Sequence, residues 1–153
     1  MSRRASIALF LVAITLLLFA HFAEAQVNHE TLHERDDLIG TSWWVEDIDG
    51  KGVVDRSRTT VAFPEPGKVL GSSGCNRYAG SAEFNGETLG FGPLAGTRRA
   101  CPEALMFQET RFYGAMDEVR SWWIDPDTGL LHLRNEEGDT VLRAVHLEEG
   151  DKA

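Results

Sequence analysis

Short runs of alternating apolar and polar residues cover most of the chain after residue 40, and turn-forming residues separate them. The alternation is clearest in 59–63, which reads TTVAF, and in 131–133, where two leucines flank a histidine. Strands of this kind bury one face and expose the other. Asn85-Gly86 is the strongest turn signal, because both residues tolerate the positive φ of a tight hairpin. The pattern predicts eight strands, at 41–48, 58–63, 68–72, 78–84, 87–91, 121–125, 130–134 and 139–146.

One segment, 102–120, has helical rather than strand periodicity. Its apolar residues recur so that they share one side of a helix: Leu105, Phe112, Met116 and Val119. Pro102 suits the first helical position, because a proline there loses no intrahelical hydrogen bond. Short strands with close turns and one helix predict a mainly β fold, a small antiparallel β-barrel-like domain with one packed helix.

The first 25 residues have the pattern of a signal peptide. Arg3 and Arg4 precede the apolar run 7–20, and residues 23–25, Ala-Glu-Ala, have the small-x-small form of a cleavage site. The run is shorter than the roughly 20 residues that a membrane-spanning helix needs. A retained membrane anchor is the alternative. We therefore expect a soluble protein, periplasmic or secreted, that begins at Gln26 after cleavage.

The charge of the mature chain limits its partners. Cleavage leaves 13 basic and 23 acidic residues, a net charge of −10. Such a surface repels phosphate backbones and anionic lipid, which argues against nucleic-acid binding and membrane attachment. The length suits one domain. We expect this domain at 38–146, between a loose N-terminal segment at 26–37 and an acidic tail at 147–153.

Cys75 and Cys101 are the two cysteines of the chain. In an oxidising compartment such a pair favours a disulfide, and closing the 27-residue loop would stabilise the fold by about 3.5 kcal/mol. A redox or nucleophilic thiol is the alternative, although the C-x-x-C spacing typical of redox sites is absent. The bridge would tie the start of the predicted helix to the glycine-rich stretch 71–80.

Residues 29–33 match the H-E-x-x-H motif of zinc proteases through His29, Glu30 and His33. The motif lies three residues inside the predicted mature terminus, where a water-excluding cleft is hard to build. Metal-dependent hydrolysis is therefore the least favoured function, although surface binding of zinc or copper stays open. We predict no catalytic residue, no resident metal and no cofactor.

Two tryptophan pairs, Trp43-Trp44 and Trp122-Trp123, lie in predicted strands. Adjacent strand residues point to opposite faces, so one tryptophan of each pair should face outward. Left uncovered, the outward pair would form an aromatic surface suited to a partner. Cover by the helix or by the N-terminal segment is the alternative.

Glu109 lies on the apolar stripe of the predicted helix. A carboxyl group in that position could have a raised pKa and act as an acid. The alternative is a structural carboxylate that pairs with Arg98, with Arg99 or with backbone donors.

Five short motifs follow one another along the chain. They are Gly40-Thr41-x-Trp43, Gly71-x-x-Gly74-Cys75-Asn76-x-Tyr78-x-Gly80, Thr97-x-x-Ala100-Cys101-Pro102, Glu109, and Gly129-Leu130-Leu131-x-Leu133. Together they resemble the META-domain family, the group that includes the heat-inducible bacterial protein HslJ, over about 38–144. Arg99 departs from the family pattern, because relatives commonly have an apolar residue there.

The resemblance implies a small β-barrel-like fold with one packed helix, in an exported family without an established reaction and with links to heat stress and antibiotic tolerance. It implies structural roles for the motif residues Gly74, Asn76, Tyr78, Gly80, Thr97, Pro102 and Glu109. We therefore expect a non-enzymatic, stress-linked envelope protein that binds a protein partner. A carrier that holds a small apolar ligand inside the barrel is the alternative.

Overall fold

A computed structural model of the protein describes residues 38–148. The predicted signal peptide, the segment with His29, Glu30 and His33, and residues 149–153 lie outside this range. Nine strands and one helix follow one another within it: β1 Ser42–Ile48, β2 Thr59–Ala62, β3 Lys68–Ser73, β4 Arg77–Asn85, β5 Thr88–Phe91, β6 Ala95–Gly96, α1 Glu103–Glu118, β7 Ser121–Ile124, β8 Leu131–Arg134 and β9 Thr140–His146.

Eight of these strands close into an antiparallel barrel. They pair in the order β3-β2-β1-β9-β8-β7-β5-β4, and β4 pairs back with β3. The seam between β5 and β7 is short, with Thr88 opposite Ser121. The predicted barrel with one helix is thus confirmed. The two-residue strand β6, which pairs with β4, was not predicted, because two residues carry no alternation.

Inward-facing side chains fill the barrel with a continuous core. Its fully buried members include Val45, Ile48, Val61, Phe63, Val69, Leu89, Leu131, Leu133 and Leu142. The helix adds Phe112, Ala115 and Met116 from its inner face. Each large apolar side chain buried in this way stabilises the fold by about 1.5–3 kcal/mol, so the core holds helix and barrel together.

The helix is shorter than the predicted 102–120, and its buried face differs from the predicted one. Pro102 lies at the N-cap with a ψ of 146°, and Val119 ends the helix with a ψ of 130°. Leu105 is only partly buried, whereas Gln108 is buried on the same side. No helix within residues 38–148 is long and apolar enough to cross a membrane.

Candidate functional site

Glu109 on α1 is held by the turn that joins β3 to β4. The Ser73 hydroxyl donates to Oε2, the Asn76 backbone N–H donates to the same oxygen at 3.2 Å, and Asn76 Nδ2 donates to Oε1 at 3.0 Å. The carboxylate is therefore held by polar groups of the turn rather than by the side chains of Arg98 or Arg99. This geometry favours the structural alternative, pairing with backbone and side-chain donors, over the acid.

Asn76 also binds the segment that leads into the helix. Its Oδ1 accepts hydrogen bonds from Thr97 Oγ1 and from the Arg99 backbone N–H, both at 2.8 Å. The predicted disulfide between Cys75 and Cys101 joins the same two segments. Asn76 is 2 % exposed, so its hydrogen bonds replace those that water would otherwise make. The Arg99 side chain is exposed, in keeping with the departure from the family pattern at that position.

Gln108, next to Glu109 on the helix, is a buried residue that the sequence did not single out. Its Nε2 donates to Thr59 Oγ1 at 2.8 Å and to Ser57 Oγ at 3.2 Å, and its Oε1 accepts from the Val54 N–H at 2.5 Å. The side chain thereby fastens the segment before β2 to α1. The sequence did contain a signal for its burial. Gln108 is three residues after Leu105 and therefore lies on the apolar stripe of the helix although it is polar.

Gly74 makes room for this glutamine. Its φ is +98°, a conformation that residues with a Cβ rarely adopt, and a Cβ would lie 2.5 Å from Gln108 Nε2 and 3.0 Å from Thr59 Oγ1. The glycine-rich stretch around Cys75 is therefore a tight structural turn.

Tyr78 and Gly80 also make close contacts within the fold. The buried Tyr78 hydroxyl donates to the Thr60 carbonyl at 2.9 Å, where Gly71 leaves space for the contact. Burial, with a smaller contribution from Tyr113, raises the pKa of Tyr78 well above its ordinary value, so the phenol stays a neutral donor. Gly80 packs closely against Leu94, since a Cβ there would meet its Cδ2 at 2.6 Å.

The tryptophan pairs alternate between core and surface as the strand pattern predicts. Trp43 and Trp122 point inward and are 3 % and 5 % exposed, whereas Trp44 and Trp123 point outward and are half-buried. Strands β8 and β9 lie between the two outward rings. The Arg134 guanidinium covers Trp123 at 4.5 Å from its ring centre. Trp44 and Trp123 therefore lie on separate parts of the outer wall.

Trp44 lines a groove of about 470 Å³ on the outside of the barrel. Its apolar side chains are Trp44, Ala62, Leu70 and Leu147, and Arg58 and Arg77 add two cations. We call this surface the Trp44 groove. Of the ten described residues that line it, none is acidic.

Strand register fixes the layout of the Trp44 groove. Trp44 lies opposite Thr60, Thr60 opposite Ser72, and Ser72 opposite Arg77, so these four residues form one row across β1, β2, β3 and β4. Neighbouring strands are about 4.8 Å apart, which places the backbones of Trp44 and Arg77 about 14 Å from each other. Leu70 beside this row is 37 % exposed. The groove is thus an aromatic end and a cationic end joined by a floor of small side chains.

Unlike the Trp44 groove, the interior of the barrel is filled by packed side chains. Phe63 contacts Phe84 edge-on at 5.4 Å and stacks on Phe91 at 6.3 Å, within the core described above. No group of three or more His, Cys, Asp or Glu side chains within residues 38–148 is arranged to hold a metal ion.

The family model described as META domain matches residues 36–147. The chain belongs to the META-domain family. Among solved structures, it is similar to the NMR structure of a protein from Burkholderia xenovorans, with a TM-score of 0.60 and 26% sequence identity over 74% of this chain and 86% of that one. A second NMR structure shares the fold, with a TM-score of 0.54 and 23% identity over 71% of this chain and 92% of its own. No curated protein sequence matches the chain.

Proposed function

We propose that this META domain is an exported, non-catalytic module that binds a partner protein through the Trp44 groove. The observation that carries the proposal is a partly exposed tryptophan beside exposed Leu70, on the outer wall of a barrel whose inside is filled. Tryptophan and arginine are enriched at the centres of protein interfaces, because both bury large contact areas and form directional polar contacts.

A role without catalysis is supported by the use of the motif side chains in structure. Glu109 accepts three hydrogen bonds from the turn, and Ser73 is fully buried against it. Cys75 and Cys101 are joined to each other. The side chains of Ser73, Glu109 and the two cysteines at this corner are thus used in holding the helix.

The envelope location and the link to stress belong to the same proposal. The signal-like pattern of residues 1–25 supports export, and a disulfide persists in oxidising compartments. Mass spectrometry of the protein from a periplasmic or culture fraction should give a chain that begins at Gln26. A chain that retains residues 1–25 in the membrane fraction would contradict cleavage and indicate the retained membrane anchor instead.

The carrier alternative has less support, because packed aromatic and aliphatic side chains fill the barrel interior. The Trp44 groove on the outer wall does offer space for a ligand. The metal-dependent hydrolase through His29, Glu30 and His33 concerns a segment outside the described residues, and no structural observation supports it.

The test uses the two outward tryptophans as a matched pair. A photo-crosslinking amino acid at position 70 captures the partner in cells, mass spectrometry identifies it, and calorimetry measures the Kd of the purified pair. We expect Trp44→Ala to weaken binding at least about tenfold, as for an interface centre. Trp123→Ala should leave the Kd unchanged, because β8 and β9 separate Trp123 from the groove.

Equal Kd values for Trp44→Ala and wild type would refute the Trp44 groove as the binding site. Loss of binding in both tryptophan variants, with unchanged melting temperatures, would likewise refute it, because the effect would not be specific to the groove.

A further inference from the structure

We infer that the Trp44 groove binds an extended, acidic segment of the partner, with an apolar side chain against Trp44 and Leu70 and a carboxylate at Arg77. This inference rests on the proposed function and adds the chemistry of the partner to it. It depends on the charge, the span and the shape of the groove, and each is an independent observation.

The charge of the groove is opposite to that of the chain. The whole sequence has a net charge of −9, yet the described residues that line the Trp44 groove include two arginines and no acidic residue. A basic segment in the groove would bring like charges together, which costs binding free energy. A carboxylate there can form two parallel hydrogen bonds with one guanidinium, the strong geometry for this pair.

Arg77 differs from arginines that serve the fold. Arg111 donates to the carbonyls of Ile48 and Gly52 at 3.2 and 3.3 Å, and Arg143 pairs with Glu46 at 2.8 Å. The Arg77 side chain is exposed and makes no hydrogen bond or ion pair within residues 38–148. Its guanidinium is therefore available to a partner without the loss of an internal contact.

The span of the groove sets the length of the segment. An extended chain advances about 3.3 Å per residue, so about four residues cover the roughly 14 Å between the strands of Trp44 and Arg77. The volume of about 470 Å³ lies in the range of sites for small ligands and short peptides. A short carboxylic acid such as acetate would contact only one end.

The shape favours an extended segment over a helix. Thr60 and Ala62 of β2 and Gly71 and Ser72 of β3 form a shallow floor of small residues across two neighbouring strands. A helix with side chains is about 10 Å wide and would touch such a floor only along one narrow stripe. An extended chain can place alternate side chains on the floor and leave the others in solvent.

The acidic remainder of the chain limits how many negative charges the segment carries. Polyanions such as nucleic acid or polyphosphate would be repelled by it over about one Debye length, roughly 8–10 Å. One or two carboxylates near Arg77 meet local attraction with little of this repulsion. The occupant is thus a lightly charged peptide with apolar residues.

Arrayed random eight-residue peptides are the probe, and the readout is the residue composition of those that the full mature protein binds. We expect Asp or Glu to be enriched beside Leu, Phe or Trp. Arg77→Glu should move the enrichment to Lys or Arg. For the best acidic peptide, Arg77→Gln should raise the Kd about tenfold by fluorescence anisotropy, the loss of one charge-assisted contact.

Arg134→Gln is the matched control, because Arg134 also lies beside an outward tryptophan but on β8, and it should leave the Kd unchanged. No enrichment of acidic residues, or the same enrichment with Arg77→Glu, would overturn the inference. Self-association of the protein in solution that Trp44→Ala abolishes would also overturn the inference, because the groove would then bind a second copy of the chain.

The two proposals fail separately. If Trp44→Ala weakens binding of the crosslinked partner while the peptides show no acidic preference, the inference fails and the proposed function stands. If the crosslinked partner binds Trp44→Ala as well as wild type, the proposed function fails whatever the peptides show.

Discussion

Asn76 donates a hydrogen bond from its side chain to the Glu109 carboxylate at 3.0 Å, although the two residues are 33 positions apart in the chain. The other polar atom of its side chain, Oδ1, accepts hydrogen bonds from the Thr97 hydroxyl and the Arg99 backbone N–H. The β3–β4 turn, the helix and the segment before Cys101 therefore meet at one buried amide. The disulfide joins the same parts covalently, so the corner is fastened twice.

We expect Asn76→Ala to lower the free energy of unfolding by about 2–3 kcal/mol, because it leaves Glu109 and the Arg99 N–H short of partners in a buried site. Urea denaturation measures the loss. In a double-mutant cycle with Glu109→Ala, the two changes should couple by at least about 1 kcal/mol. Strictly additive losses would show that the hydrogen bond between Asn76 Nδ2 and Glu109 Oε1 contributes nothing to stability.

Gly74→Ala should destabilise the protein more than Gly138→Ala. Both glycines have positive φ, at +98° and +88°, so both variants strain the backbone. Only at Gly74 does the added methyl group also meet Gln108 and Thr59, whereas a Cβ at Gly138 meets nothing within 4 Å. We expect about 1–2 kcal/mol for Gly138→Ala and at least about 1 kcal/mol more for Gly74→Ala. Equal losses in thermal and urea unfolding would contradict the crowding argument.

Removal of the disulfide should lower the free energy of unfolding by about 3.5 kcal/mol in the chain-entropy account. The variant is Cys75→Ser with Cys101→Ser, and urea denaturation compares it with wild type. Dithiothreitol should destabilise wild type and leave the double variant unchanged. A wild-type protein whose two thiols react with iodoacetamide before any reduction would contradict the bond itself.

His132 should make the fold less stable in mild acid. Burial, together with Arg134 and Arg143, lowers the pKa of His132 below its ordinary value of 6.5. The unfolded chain then binds the proton more readily than the folded one. The contribution of His132 to stability is therefore complete above about pH 6.5 and is lost as pH falls through the lowered folded-state pKa.

An NMR titration of the imidazole checks this prediction. The pKa of His132 should lie below 6.5 in wild type and rise in Arg134→Gln, because that change removes a neighbouring cation. A pKa that is the same in both proteins would show that Arg134 has no electrostatic effect on the ring.

The barrel, the helix and the alternating tryptophans could be predicted because each follows from a periodic pattern of apolar and polar residues that is local in the sequence. Gln108 was missed because it is polar on an apolar stripe, and only the segment 54–59 across from it explains its burial. The Trp44 groove was missed because its residues come from several strands, and the register between those strands is set by the folded sheet. Leu147 shows the same limit, since the predicted acidic tail begins with a residue whose N–H donates to the Ser42 carbonyl at 2.8 Å.

The seam between β5 and β7 has few strand-pairing contacts, so we expect the closed barrel to open there most easily. The Leu89 N–H donates to the Arg120 carbonyl at 3.0 Å and the Trp122 N–H to the Glu87 carbonyl at 2.9 Å, whereas β1 and β9 are paired from Trp43 to Ile48. α1 leads into β7 across only Val119 and Arg120, so this short seam also lies next to the end of the helix. Amide hydrogens of Leu89 and Trp122 should therefore exchange with deuterium sooner than those in the centre of β1. Local opening of the barrel is then expected to begin between β5 and β7.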